Sequence, residues 1–263
     1  MSFIDWLFSN RPEGLELKND PWGLLHIVVL LSCIGISILI SVLFKDKKEK
    51  KKHLVLFIIA MVVLFFEISR RVINFTKGDF ILDDGSIDFK SIIYILLPRP
   101  WCAISCWVLI SSVFIKKKFF YNFAAITMLL NAIIFFAYPS AGFKNHIAFE
   151  EVYSIVTHSM LLIGSISMIT LGFTDFRYKR GNELFIFELL AIIVVYIYAT
   201  LLIVFDIEKD PLYFMPGNDI EKILNLPYIA YLIIYIIFVF GIWFNSFYLI
   251  PKLVKKVTNN FTK

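Results

Sequence analysis

The sequence predicts an all-α, polytopic membrane bundle of about seven transmembrane helices, N-terminus outside and C-terminus cytoplasmic. Three observations carry this. Apolar residues fill 59% of the 263 positions and charged residues only 18%, whereas soluble domains sit nearer one half and one quarter. The apolar residues fall in long blocks between short charged connections, without the strand-and-turn punctuation of a β-barrel. Lysine and arginine crowd into alternate connections, the pattern that sets orientation in a bilayer. With 11 Gly and 9 Pro, no flexible linker divides the chain, and residues 1–263 read as one membrane domain.

A helix crossing the bilayer needs about 20 mostly apolar residues. Seven segments qualify: 22–44, 53–75, 91–115, 119–138, 151–173, 184–205 and 227–250. The first follows a stretch holding Asp5, Arg11, Glu13, Glu16, Lys18 and Asp20. That stretch lacks a basic start, a short apolar core and a small-residue cleavage site, so it predicts no signal peptide. The second carries Glu67, Arg70 and Arg71 toward its end, and the third is interrupted by Pro98-Arg99-Pro100. Prolines are tolerated in membrane helices where neighbours satisfy the freed carbonyls, so this stretch predicts a kink or a re-entrant break. The fourth follows Lys116-Lys117-Lys118, the fifth opens at Glu150-Glu151, the sixth carries Glu188 near its start and the last opens at Pro227-Tyr228.

Orientation follows from the connections. Lys45, Lys47, Lys48, Lys50, Lys51 and Lys52 lie in the first, and Lys116, Lys117 and Lys118 in the third. Arg177, Lys179 and Arg180 lie in the fifth, and Lys252, Lys255, Lys256 and Lys263 in the tail. The opposite connections are acidic, with Asp79, Asp83, Asp84 and Asp88 in one and Asp206, Glu208, Asp210, Asp219 and Glu221 in another. The positive-inside rule then gives a cell-membrane protein with its N-terminus out.

Several function classes are excluded. The +5 charge does not predict a nucleic-acid partner, because the lysines sit between spans, where they meet anionic head groups; membrane lipids are the predicted partners. Cys33, Cys102 and Cys106 all lie in apolar segments, neither a disulfide framework nor a zinc pattern. No metal or cofactor is predicted: there is no Gly-rich phosphate loop, no His-Glu-x-x-His pair and no serine elbow. No internal repeat divides the spans into halves, which weakens an inverted-repeat transporter.

Ionisable groups inside hydrocarbon are costly and mark function by default. Measured inward at about 1.5 Å per residue, Cys102 would lie roughly 16 Å and His158 roughly 10 Å from the outer surface. Glu67, Arg70, Arg71, Arg99 and His26 fall on the same outer side. A cysteine nucleophile needs a base or a nearby cation, since burial alone keeps it protonated. Cys102 with His158, and Arg99 one turn before Cys102, meet that need on paper. Blander roles stand beside these: Arg70 and Arg71 as snorkelling residues, Glu67 as their partner at i+3 and i+4, and His26 as an interfacial residue.

The chain resembles the bacterial YwaF-type integral membrane proteins, which group with the animal TMEM acyltransferase-like proteins. The resemblance runs over most of the chain and is carried by Trp22-Gly23-Leu24-Leu25-His26, Leu97-Pro98-Arg99-Pro100-Trp101-Cys102, Tyr138-Pro139 followed by Thr157-His158-Ser159, and Pro227-Tyr228. Three features depart from the family pattern: Arg99, Ala103 after the cysteine, and Val204-Phe205-Asp206 where an Asn-Tyr pair is expected. The resemblance implies seven spans and, from the animal relatives, lipid acyl transfer with Cys102 as nucleophile and His158 as base. Arg99 or Arg71 would then hold a head-group phosphate. The alternative is a non-enzymatic transporter or receptor that binds a small polar or anionic ligand among Glu67, Arg70, Arg71 and His26.

Overall fold

A computed structural model describes residues 23–78, 80–82, 84–98, 101–137, 143, 149–174, 181–207, 215–217, 221 and 224–247, the segments 181–192 and 238–247 as backbone alone. The chain divides into two compact units, Met1–Thr174 and Asp175–Lys263.

In the first unit the helices are α1 (Leu24–Phe44), α2 (Glu49–Lys77), α3 (Phe89–Leu96), α4 (Trp101–Ile115), α5 (Lys118–Ala137) and α6 (Phe149–Thr170). The second unit holds α7 (Gly181–Val204) and α8 (Tyr228–Phe247), joined by a hydroxyl contact between Tyr196 and Tyr235 at 3.1 Å. No extended strand occurs among the described residues; Ile81 and Ile87 form an isolated antiparallel bridge.

Among the described residues four helices, α1, α2, α5 and α6, are long and apolar enough to cross a membrane, and a fifth span results if α3 and α4 are counted as one bent crossing. The distribution of side chains identifies the solvent. Val42 is 71% exposed and Phe65 65%, while Glu67 and Asn122 are fully buried. Apolar residues outside and polar residues inside is the arrangement a lipid environment stabilises, because hydrocarbon cannot satisfy a polar group. The protein is an integral membrane protein built of apolar helices. The expected sixth and seventh segments are helical over α7 and α8, with side chains described for 193–204 and 228–237.

Helix α6 is central, packing against α1, α2, α4 and α5. Its interfaces use small residues, as close helix approach in a membrane requires. A Cβ at Gly164 would sit 2.8 Å from the Met128 Cε and 3.4 Å from the Ile59 Cγ2. Across the α4–α5 interface Asn131 donates to the Ser105 Oγ at 2.5 Å.

The expected boundaries change most in two places. The second segment lengthens to Glu49–Lys77, closed by Gly78 in the left-handed conformation at φ +73°, the usual helix stop. The third is divided: α3 ends at Leu96, Leu97 is extended at φ −73° and ψ 143°, and α3 and α4 meet at 54°. The cause is local. Pro98 pushes the preceding residue out of the helical region, and Pro100, with no N–H, cannot bond the Leu96 carbonyl four residues back.

Side-chain contacts show which helix ends lie together. Ser41 at the end of α1 donates to Thr170 at the end of α6 at 2.8 Å. His53 near the start of α2 lies 3.0 Å from the Val113 carbonyl near the end of α4. Lys52 reaches the Leu171 carbonyl at 3.4 Å, and Lys118 the Gly172 and Phe173 carbonyls at 2.9 Å each. The lysine-rich first and third connections therefore occupy one end of the unit, where ammonium groups suit a helix C-terminus.

Between α2 and α3, Asp88 caps α3, accepting from the Lys90 amide at 2.9 Å and the Ser91 hydroxyl at 2.6 Å. Those donors, the Ser91 hydroxyl foremost, hold its carboxyl below the ordinary range. Asp84 is lowered likewise by Ser86.

Candidate functional site

Away from the lysine-rich end, α2, α4 and α6 surround a charged cluster centred on Glu67. Glu67 sits four residues before Arg71, which puts both on one face of α2. The Arg71 Nη1 donates to the Glu67 Oε2 at 2.5 Å and to the Glu67 carbonyl at 2.8 Å. From α6, the Tyr153 hydroxyl donates to the other carboxylate oxygen at 2.5 Å. A fully buried carboxylate is stable only if its oxygens are bonded, and here both are.

Arg71 also reaches the broken span. Its Nε donates to the Leu96 carbonyl at 3.0 Å, the acceptor orphaned by Pro100. Its guanidinium lies 5.2 Å from the centre of the Trp107 ring on α4. One side chain thus holds both halves of the break, satisfying a carbonyl that a continuous helix would have satisfied itself.

Arg70 is less committed. Its guanidinium lies 5.0 Å from the centre of the Tyr153 ring. Its Nε is 3.4 Å from the Glu150 Oε2, yet makes no hydrogen bond. The Arg70 side chain is 22% exposed and that of Glu150 44%. Cys102, half-buried, is close enough to feel the charges of Arg70 and Glu67, and Cys106 those of Glu67 and Arg71.

His26 and His158 sit elsewhere, around phenylalanines. His158 is buried and stacks on Phe135 at 3.9 Å between ring centres. Its Nδ1 lies 2.7 Å from the Ser154 carbonyl. A carbonyl only accepts, so this nitrogen carries the proton, and in the neutral ring Nε2 then holds the lone pair. His26 is buried and packs edge-on against Phe143 at 4.8 Å and stacked on Phe136 at 5.9 Å. Phe135 and Phe143 are 5.6 Å apart, so both histidines line one aromatic nest.

The fold therefore brings Glu67, Arg70 and Arg71 together with Cys102 beside them, and pairs His26 with His158 around Phe135, Phe136 and Phe143. Cys102 and His158 share no hydrogen bond in this arrangement. Arg99 lies outside the described residues, as do Trp22, Tyr138 and Pro139 of the sequence signatures. Among the described residues no three His, Cys, Asp or Glu side chains gather as metal ligands. Tyr153 and Trp107 are the members of the cluster that the sequence did not single out. No family model, curated protein or solved structure matches this chain.

Proposed function

We propose that the chain is a seven-span, N-out membrane protein of the YwaF type that binds an anionic ligand at Arg70. The observation carrying this reading is the contrast between adjacent arginines. Arg71 spends its donors on Glu67 and Leu96. Arg70 is partly exposed and holds Glu150 by a long contact at 3.4 Å, which an incoming carboxylate or phosphate can displace through the paired donors of a guanidinium. Exposed Phe65, Ile68 and Val72 on the same helix suit a ligand carrying an apolar tail. The seven-span count is supported by the 24-residue α7 and 20-residue α8, about 36 and 30 Å long, and the outward N-terminus by the alternation of basic connections.

The test is titration of the full chain in phosphatidylcholine nanodiscs with oleate and with inorganic phosphate. Saturable binding is expected, weakened at least tenfold in Arg70→Gln and tightened in Glu150→Gln, which removes the competing carboxylate. Equal affinities in all three proteins overturn the reading.

A second reading, lipid acyl transfer, rests on Cys102 feeling the charge of Arg70 and on the His158 Nε2, which in the neutral ring holds a lone pair. The thiol sulfur would attack an acyl ester carbon, passing its proton to His158, and the lipid alkoxide would leave with that proton. Mass spectrometry for an acyl adduct, with Cys102→Ala and His158→Ala as controls, tests it. Unchanged lipid turnover in both variants rules it out.

A further inference from the structure

The lysine-rich end divides its cations into two sets. Lys52 and Lys118 reach the carbonyls of Leu171, Gly172 and Phe173, just past the end of α6. Those bonds anchor the first and third connections to one place, the C-terminal end of α6. The remaining lysines of the two connections, Lys45, Lys47, Lys48, Lys50, Lys51, Lys116 and Lys117, are all exposed. Among the described residues none of these seven forms an ion pair, and the acidic residues interspersed with them are Asp46 and Glu49.

What adjoins them decides the partner. Val42, Leu43, Leu54, Phe114 and Ile115 are exposed and lie within a few residues of the lysines along α1, α2 and α4. A rim of bare apolar side chains topped by unpaired ammonium groups matches one surface, acyl chains below and anionic phosphates above. A nucleic acid would meet the charge and leave the apolar rim uncovered.

We infer that the first and third connections form a single binding surface selective for anionic phospholipid head groups. Lys52 and Lys118 stabilise the end of the unit on which both connections sit, while the seven exposed lysines meet the head groups, so each set of lysines has its own task. This inference is independent of the Arg70 reading.

The experiment reconstitutes the full chain in nanodiscs made from equal phosphatidylglycerol and phosphatidylcholine, re-extracts it in detergent, and quantifies the retained lipids. Phosphatidylglycerol is expected to be enriched, with the enrichment falling as salt is raised. Each lysine near an anionic surface contributes about five-fold in affinity, so K47Q/K48Q/K50Q/K51Q/K116Q/K117Q should lose most of the selectivity. K77Q/K90Q, away from this surface, should retain it. K52Q/K118Q should unfold at lower temperature while its folded fraction still prefers phosphatidylglycerol. If the sixfold variant does not fold, K47Q/K48Q and K116Q/K117Q are compared separately, and the salt titration of the unaltered protein needs no variant. Equal retention of the two lipids, retention insensitive to salt, or tighter binding of a single-stranded oligonucleotide than of phosphatidylglycerol vesicles overturns the inference.

Discussion

Arg71 donates its Nε–H to the main-chain carbonyl of Leu96 at 3.0 Å, so a side chain on one helix closes a hydrogen bond that a proline removed from another. Because the same guanidinium neutralises buried Glu67, α2 and the α3–α4 break depend on one residue.

Arg71→Ala should be among the most damaging single substitutions in the first unit. It strands a buried carboxylate and an orphaned carbonyl together, and breaking such a buried pair costs about 3–5 kcal/mol. Chemical unfolding in detergent measures it. Arg71→Lys should recover part of the loss, since an ammonium lacks the planar fork that reaches Glu67 and Leu96 at once. Full recovery by lysine would contradict the bridging role.

Tyr153→Phe removes one donor from Glu67 and leaves the ring beneath Arg70. Hydrogen bonds to charged groups contribute about 1.5–3 kcal/mol, so an unfolding shift of that size is expected by the same assay. A shift as large as that of Arg71→Ala would mean the tyrosine does more than bond one oxygen.

Asn131→Ala tests a neutral contact by comparison. Interhelical hydrogen bonds between uncharged groups in membranes average about 0.6 kcal/mol, so losing the bond to Ser105 should be far milder than losing Arg71. A comparable loss would show that the α4–α5 polar contact was undervalued.

At Gly164 size sets the outcome. An added methyl meets first the mobile end of Met128, at 2.8 Å, so Gly164→Ala should be tolerated at modest cost. Gly164→Leu should cost about 1–3 kcal/mol or more, since added carbons force backbone shifts in a packed interface. Thermal unfolding of the two variants should rank them in that order.

Acid should loosen the start of α3. The Asp88 carboxyl is lowered in the folded protein, chiefly by the Ser91 hydroxyl. Its contribution is complete above the unfolded value of about 3.9 and disappears as pH falls through the lower folded value. Hydrogen exchange at the Lys90 amide should accelerate below about pH 4 and be fast at all pH in Asp88→Ala. Protection that persists at lower pH in the unaltered protein would remove Asp88 as its cause.

The helices were legible because lipid-facing surfaces demand long apolar runs, and the break at Pro98–Pro100 because proline chemistry is local. The Glu67–Arg71 pair was legible for the same reason: one helical turn fixes it. Tyr153 was not, since its partner lies 86 residues away and a tyrosine in a membrane helix has no spacing that marks it. Depth along a span placed Cys102 and His158 at similar levels, but depth is one coordinate and says nothing about which face a side chain occupies. The 54° bend also means that the segment before Cys102 is not a straight ruler. The roles of Lys52 and Lys118 were hidden among neighbours of identical charge.

The Glu67–Arg71 pair has a bearing on how the protein is made. Since both residues belong to α2, their bond closes as soon as that helix winds, before any later helix is present. Glu67 can then enter the membrane with its counter-ion already in place, and insertion avoids much of the cost of a bare carboxylate in hydrocarbon. The Leu96 carbonyl and the Tyr153 hydroxyl arrive later in synthesis, to a site already neutralised.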